Sequence, residues 1–575
     1  MLFYKEEGTM INLKEKPFYL DDEGVKWVMD TIASMTDEEK VGQLFVNMVT
    51  DFTPEGIKKV AETYHPGALR YHNKSAEELW EMTKNFQEAS RIPLLVASNC
   101  EAGGNGGVGG GTAVSCGAST AASKDPEVAY LTAKVSATEA MTIGSNWNFA
   151  PIVDLLYNWR NSIVQTRSFC NDPDETIAYA KAFFKGTEEC EMATCCKHFP
   201  GDGTEENDQH LMMGVNNLDC DEWMATFGKV YKELIDAGVK TIMAGHIAQP
   251  AWQRKIAGRD LDDHEILPAT VCPELITGLL KEKLGFNGLV VTDASHMIGM
   301  FGSMSRADQV PAAIAAGCDM YLFFNDMEED FGYMMAGYKN GVITEERMTD
   351  ALMRILGVKA SIGLHKKQAN GTLIRPKEEL ALVGCEEHRK IADYCADKYI
   401  TLVKDTQKML PISPETHKRL RVIFLEGDGA VVAGKLVKMA SPAKGQIFAE
   451  LRRRGFEVVD GDDYAVKGKM EDFKANTDAV LVFIDQVGFA QYNTMRVKWS
   501  LPIDQPWYVS QVPTAFISLY LPNYLIDLTM SRTYVNCYMD TENSVKAVIA
   551  KLCGESEFKG TPSENVWCGR WDTRL

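Results

Sequence analysis

Residues 193–203 read A-T-C-C-K-H-F-P-G-D-G, a short apolar run that breaks abruptly into charge, imidazole and glycine. Small and apolar residues without alternation are expected of a strand buried on both faces, as in a parallel sheet covered by helices. The polar burst falls where that strand ends, and in parallel barrels this end carries the chemistry. The same unit recurs outward in both directions. Strands are expected at 44–48, 68–72, 94–98, 147–153, 193–198, 241–246, 289–293 and 320–324, with longer amphipathic stretches between them. Eight such runs predict an α/β fold whose first part is a (β/α)8 TIM-type barrel; an open doubly wound sheet is the alternative. Thr36 before D-E-E-K and Thr344 before E-E-R read as hydroxyl N-caps followed by acidic first turns, which start helices.

The chain has 575 residues, enough for two large domains. From 366 to 384 it turns polar and irregular, the composition of a surface linker. The expected division is therefore a catalytic barrel at 1–365, a linker at 366–384 and a smaller α/β sandwich domain at 385–575. Strands of that second domain are expected at 422–425, 456–459, 479–484 and 515–519. Sixty Lys and Arg against eighty Asp and Glu give a net charge of −20, the wrong sign for binding nucleic acid or an anionic membrane surface. No apolar run reaches the ~18 to 20 residues of a membrane span, and the N-terminus lacks a secretory apolar region, so the expectation is a cytoplasmic protein. Fourteen Cys without C-x-x-C spacing fit reduced core thiols.

The strand ends collect polar residues. Strand three ends in Ser98-Asn99-Cys100-Glu101, and strand four leads through Asp154 towards Arg167. Strand five ends in Lys197-His198 and strand seven in Thr292-Asp293. Two cations (Lys197, Arg167), two neutral hydrogen-bonders (Asn99, His198) and a strand-end carboxylate (Asp293) are suited to grip the hydroxyls of a small carbohydrate around one anion. Glycoside cleavage passes through an oxocarbenium-like state that such a carboxylate stabilises or traps as an ester. The leaving oxygen needs a proton, and Asp208-Gln209-His210 supplies an imidazole two residues beyond a carboxylate that can orient it.

M-T-D-E-E-K-V-G-Q at 35–43, N-W-N-F-A-P-I-V-D at 146–154, R-S-F at 167–169, K-H-F-P-G at 197–201 and L-G-F-N-G-L-V-V-T-D-A at 284–294 resemble glycoside hydrolase family 3. The Asp-x-His loop resembles its β-N-acetylglucosaminidase branch. The resemblance covers about residues 30–365, with weaker signals at L-V-K-D, T-Y-V-N and F-K-G-T-P in the second domain. It implies a retaining, exo-acting β-glycosidase, with Asp293 as nucleophile, His210 paired with Asp208 as acid/base, and Lys197, His198 and Arg167 binding the terminal sugar. No metal or organic cofactor is implied. The sequence departs from the pattern at Asn99, where the family carries Asp; at Glu101-Ala102-Gly103-Gly104, which lacks the arginine of E-G-G-R; and at Asp202, where the branch has His.

Other readings stand beside this one. A β-glucosidase, a xylosidase or a phosphorylase would use the same frame, and a sugar-binding protein without turnover is the competing class. Asp293 alone would serve as a helix cap, and Asp208 with His210 as an ordinary loop hydrogen bond. His198, Asp202, Asp208 and His210 would suit a metal-dependent hydrolase, although their spacing matches no metal motif. Glycines 103–111 lack the Lys-Ser/Thr ending of a phosphate loop and read as a tight turn or close backbone approach. Gly427 to Val432 imitates a dinucleotide fingerprint but has Val where the third glycine belongs. Residues 486–499, bearing Asn493, Arg496 and Trp499, read as a long connection able to wall the sugar site.

Overall fold

The computed structural model describes residues 11–427, 430–432, 435–437, 441–461, 469–486, 496–499 and 505–575. Eight parallel strands close a barrel in simple sequential order. They are β1 (Phe45–Val49), β2 (Ala68–Tyr71), β3 (Leu95–Ser98), β4 (Trp147–Asn148), β5 (Ala193–Phe199), β6 (Thr241–Ala244), β7 (Leu289–Ala294) and β8 (Met320–Leu322). Each expected strand is present, displaced by a residue or two at its ends. The exception is β4, which ends well before the expected residue 153 because the chain leaves the ladder. Ile152 keeps one isolated bridge, to Lys197.

The strands are buried on both faces, so their apolar runs show no alternation. Inside the barrel Trp147 is fully buried, and its indole N–H donates to Thr241 Oγ1 at 2.9 Å. The helices begin as the sequence signals require. Thr36 and Glu39 form a reciprocal capping box at the start of Asp37–Gln43, and Thr344 caps Glu345–Ser361 through the Arg347 N–H. Below the strands, buried Asp319 accepts from the Val290 N–H at 2.7 Å and from Lys281 at 3.1 Å, so this ionic contact is also a structural tie between adjacent strands.

Two ladders lose register just where polar residues leave the sheet. Between β5 and β6 the shift spans Cys196 to Phe199, and between β7 and β8 it spans Val291 to Ala294. An extra residue at each bulge re-aims the side chains of Lys197 and His198 in one strand and of Thr292 and Asp293 in the other.

The chain forms two compact units, and their division differs from a cut at a single linker. The first takes residues up to Ala113, Ala129–Leu156 and Asn171–Cys385; the second takes Val114–Val128, Tyr157–Cys170 and Glu386–Leu575. Two excursions from the barrel sequence thus belong with the C-terminal unit. Lys398 pairs with Asp125 at 2.5 Å, Thr561 N–H donates to Ala122, and Asn523 donates to the Trp159 carbonyl at 2.8 Å. Residues 366–384 stay with the first unit and include a 3-10 helix at Lys377–Leu382. Composition reports a polar surface but not which body that surface joins.

The second unit is a six-stranded α/β sheet. Its strands are β9 (Thr401–Asp405), β10 (Arg419–Glu426), β11 (Glu457–Asp460), β12 (Ala479–Asp485), β13 (Thr514–Ser518) and β14 (Thr533–Asn536), in the order β9-β14-β13-β12-β10-β11. All pairs are parallel except β9 with β14. The sequence reading lacks β9 and β14, short strands whose polar residues mask their period. In the stretch that imitates a dinucleotide fingerprint, residues 428 and 429 lie outside the described residues. Among the described residues no helix is long and apolar enough to cross a membrane. None of the fourteen cysteines forms a disulfide.

Candidate active site

Asp293 is the penultimate residue of β7, and its side chain retains 14% exposure. Its Oδ1 accepts from the Ala294 N–H at 2.7 Å, and its Oδ2 stands 3.9 Å from His198 Nε2. Burial by itself raises a carboxyl pKa. Here the positive fields of His198, His246 and His210, with the Ala294 N–H, outweigh burial and hold the group at about 2. Asp293 is therefore an anion throughout the neutral range. His246 plays a supporting part: fully buried, it bonds the Ala294 carbonyl through Nε2 at 2.9 Å and the Thr270 hydroxyl through Nδ1 at 3.1 Å. A carbonyl only accepts, so Nε2 carries the proton. Burial pushes the His246 pKa below its ordinary value.

His198 is oriented by a buried acid. Asp154 Oδ2 lies 2.7 Å from His198 Nδ1, and Asp154 Oδ1 accepts the backbone N–H groups of His198 at 3.1 Å and Asp202 at 2.8 Å. One carboxylate from the segment after β4 thus fixes the ring and the turn after β5 together. Fixing Nδ1 leaves Nε2 as the nitrogen nearer Asp293.

The loop after β5 builds a second pair of the same kind. Asp208, with no exposed side chain, accepts at one oxygen both the His210 N–H at 2.8 Å and His210 Nδ1 at 2.6 Å. The His210 side chain keeps 28% exposure, so its other nitrogen can exchange protons with a ligand or solvent. This loop is tied to the segment following Asp293: the Ile298 N–H donates to the His210 carbonyl and the Gly299 N–H to the Gln209 carbonyl, each at 3.1 Å. A Cβ at Gly299 would meet the Gln209 carbonyl oxygen at 2.6 Å, so the approach requires glycine. Gln209 completes the fastening by accepting the His246 N–H at 2.8 Å.

Lys197 is buried and ion-paired to Glu101 Oε1 at 2.8 Å, a link from β5 to the loop after β3. Asn99, in the same loop, is exposed. The glycine-rich stretch that follows is packed against its surroundings. A Cβ at Gly104 would strike Glu139 Oε2 at 2.0 Å and one at Gly106 the Asn99 carbonyl at 2.0 Å, which is the close backbone approach expected of these glycines. Arg70, absent from the sequence reading, lies at the end of β2 over the Tyr71 ring at 5.4 Å and within the field of Glu101. The signal for it was present as a lone cation inside the run A-L-R-Y-H.

Six of the seven residues singled out from sequence, Asn99, Lys197, His198, Asp208, His210 and Asp293, lie in loops or strand ends of the barrel unit. The seventh, Arg167, sits in a segment of the second unit, where its guanidinium donates to the Ile163 carbonyl at 3.4 Å. Arg496, also in that unit, is held by Asp527 at 2.7 and 2.9 Å, while Asn493 lies outside the described residues. Of the four residues that suggested a metal site, His198 turns to Asp154 and His210 to Asp208. Among the described residues no group of three or more His, Cys, Asp or Glu is placed to hold a metal ion.

Residues 36–358 match the glycosyl hydrolase family 3 N terminal domain. The chain belongs to that family and is a glycoside hydrolase by membership. It is similar to a β-N-acetylglucosaminidase/β-glucosidase of Cellulomonas fimi, with 36% identity over 98% of this chain and 100% of that protein. It is also similar to the solved β-glucoside phosphorylase BglX, at 36% identity and a TM-score of 0.91 over 98% of this chain and 99% of that one. A family 3 β-N-acetylglucosaminidase from Paenibacillus sp. str. FPU-7 shares the fold, with a TM-score of 0.77 at 21% identity over 92% of this chain and 99% of the other.

Proposed function

We propose that the protein is a retaining, exo-acting β-glycosidase, most suited to β-N-acetylglucosaminides and also to β-glucosides. Asp293 attacks the anomeric carbon as His210 delivers its proton to the departing glycosidic oxygen, forming a glycosyl ester and a free aglycone. Water then loses a proton to His210 and attacks the same carbon, which releases the sugar and restores the carboxylate. Lys197, His198 and Asn99 are assigned to the hydroxyls of the bound ring. The observation that carries this reading is the fastening of the Asp208–His210 loop to the backbone just beyond Asp293. It gives an ionised carboxylate and an oriented imidazole one shared support.

A second reading is phosphorolysis, favoured by the likeness to BglX over nearly the whole chain. An imidazole that has given up its proton is neutral, whereas a carboxylate in that role would repel an incoming phosphate. Aryl β-N-acetylglucosaminide and aryl β-glucoside, each assayed with and without phosphate and with the product anomer read by NMR, test both. Retention with free sugar in either buffer supports hydrolysis. Retention with phosphate-dependent sugar 1-phosphate supports phosphorolysis. Inversion, or no turnover of either glycoside, refutes both.

A further inference from the structure

The second unit contains a cavity of about 460 Å³ that the proposed reaction does not use. It lies where the chain enters the parallel strands, between residues 407–411, the turn at 416–417, residues 509–513 and Arg532. Its size falls within the range of small-ligand sites, about 300 to 1,000 Å³.

The electrostatics of the cavity run against those of the chain. The protein has a net charge of −20, yet none of the residues lining this cavity is Asp or Glu, while Lys408, Arg532 and His417 all line it. Neither Lys408 nor Arg532 has an ion-pair partner among the described residues. The nearby acids are engaged elsewhere: Asp405 accepts the N–H groups of Met409 and Leu410 and the Thr533 hydroxyl, and Asp478 is paired with Arg419. His417 Nδ1 is met by the Thr416 hydroxyl at 2.8 Å, which leaves Nε2 for another partner. Ser510 and Gln511 add exposed neutral groups able to bond hydroxyls.

The cavity is preformed. Gln407 Nε2 is bonded to the Thr514 carbonyl at 2.9 Å and to Thr533 Oγ1 at 2.8 Å, which anchors the segment carrying Lys408 to β13 and β14. Lys408 itself takes a left-handed backbone conformation, φ 53°, which a lysine seldom adopts. Two cations without ion-pair partners thus line one cavity that no carboxylate lines, which favours an anion there.

We propose that this cavity binds a phosphorylated sugar, with Lys408 and Arg532 on the phosphate and Ser510, Gln511 and Thr416 on the hydroxyls. The site is independent of the glycosidase chemistry at the barrel. The test is calorimetric titration of the full chain with glucose 6-phosphate, inorganic phosphate and glucose at fixed ionic strength. Lys408→Ala/Arg532→Ala serves as the comparison protein and Lys408→Arg as the conservative control. The expected result is saturable binding of glucose 6-phosphate, about tenfold tighter than inorganic phosphate. It is lost by on the order of a hundredfold in the double variant and kept by Lys408→Arg, with unchanged aryl-glycoside turnover and unfolding midpoint. Binding that survives the double substitution belongs to another site and overturns the proposal, as does the absence of saturable binding to the parent protein.

Discussion

Removing the imidazole at position 210 separates proton transfer from bond cleavage. In His210→Ala the Asp208 carboxylate stays buried while Asp293 keeps its own support from the Ala294 N–H and His198. General-acid assistance is worth about 10²- to 10⁴-fold, or roughly 3 to 5 kcal/mol. The upper half of that range is expected here, because a single Asp208 oxygen fixes both the backbone and the ring of His210, at 2.8 and 2.6 Å. With an oligosaccharide or alkyl leaving group, kcat/KM should therefore fall about 10³- to 10⁴-fold. With a dinitrophenyl leaving group, whose oxygen departs without a proton, it should fall less than about tenfold. The second step still needs a base, so kcat drops and glycosyl ester accumulates on Asp293. Stopped-flow release of the phenol should show a burst of about one equivalent per site, and intact-mass measurement should find the sugar attached. An equal loss across all leaving groups, or a mass adduct away from Asp293, would refute the assignment of His210. Asp208→Asn should be milder, about 10- to 10²-fold, since an amide oxygen still orients the ring but carries no charge.

Asp293→Asn should abolish turnover of every substrate by about 10⁴-fold or more while circular dichroism stays native. Because its pKa is depressed to about 2, below the ordinary 3.8, Asp293 stays ionised until the pH falls through that value. With a dinitrophenyl glycoside, kcat/KM of the parent protein should thus stay level from neutrality down to about pH 4; a drop centred at pH 5 to 6 would contradict it. Asp154→Ala removes the acceptor of His198 Nδ1 and of two N–H groups, and should cost about 3 to 5 kcal/mol of stability together with a rise in KM. An unchanged denaturation midpoint would count against that role. Lys359 is buried with Gln43 Oε1 at 2.7 Å, and burial lowers its pKa from 10.5 to about 7. The unfolded chain binds that proton more tightly between pH 7 and 10.5, so the penalty is full below pH 7 and fades as pH rises. Lys359→Met should raise the thermal midpoint at pH 7 and lose that advantage near pH 10; a gain independent of pH would show the cause to be packing alone.

The barrel was legible because eight strands buried on both faces read as short, mainly apolar runs, and because chemistry gathers where each one ends. Thr36 and Thr344 announced their helices by residue type, since a cap satisfies N–H groups within a few positions. The pairing of Asp208 with His210 was equally local, two residues apart on one loop. Strands β9 and β14 were not legible, because Asp, Lys and Asn occupy ladder positions that tertiary packing renders buried or bridged. Residues 114–128 and 157–170 read as barrel loops, yet their contacts assign them to the second unit and take Arg167 with them.

The barrel, its strand order and the Asp208–His210 pair could be read from residue order, because patterns of burial and adjacent partners are written over short distances. Folding alone brings Asp154 to His198 across 44 positions of chain and Lys197 to Glu101, and places the bulges in β5 and β7 that turn their polar residues out of the ladder. Such contacts depend on which strand ends become neighbours when the sheet closes, and no local run of residues encodes that.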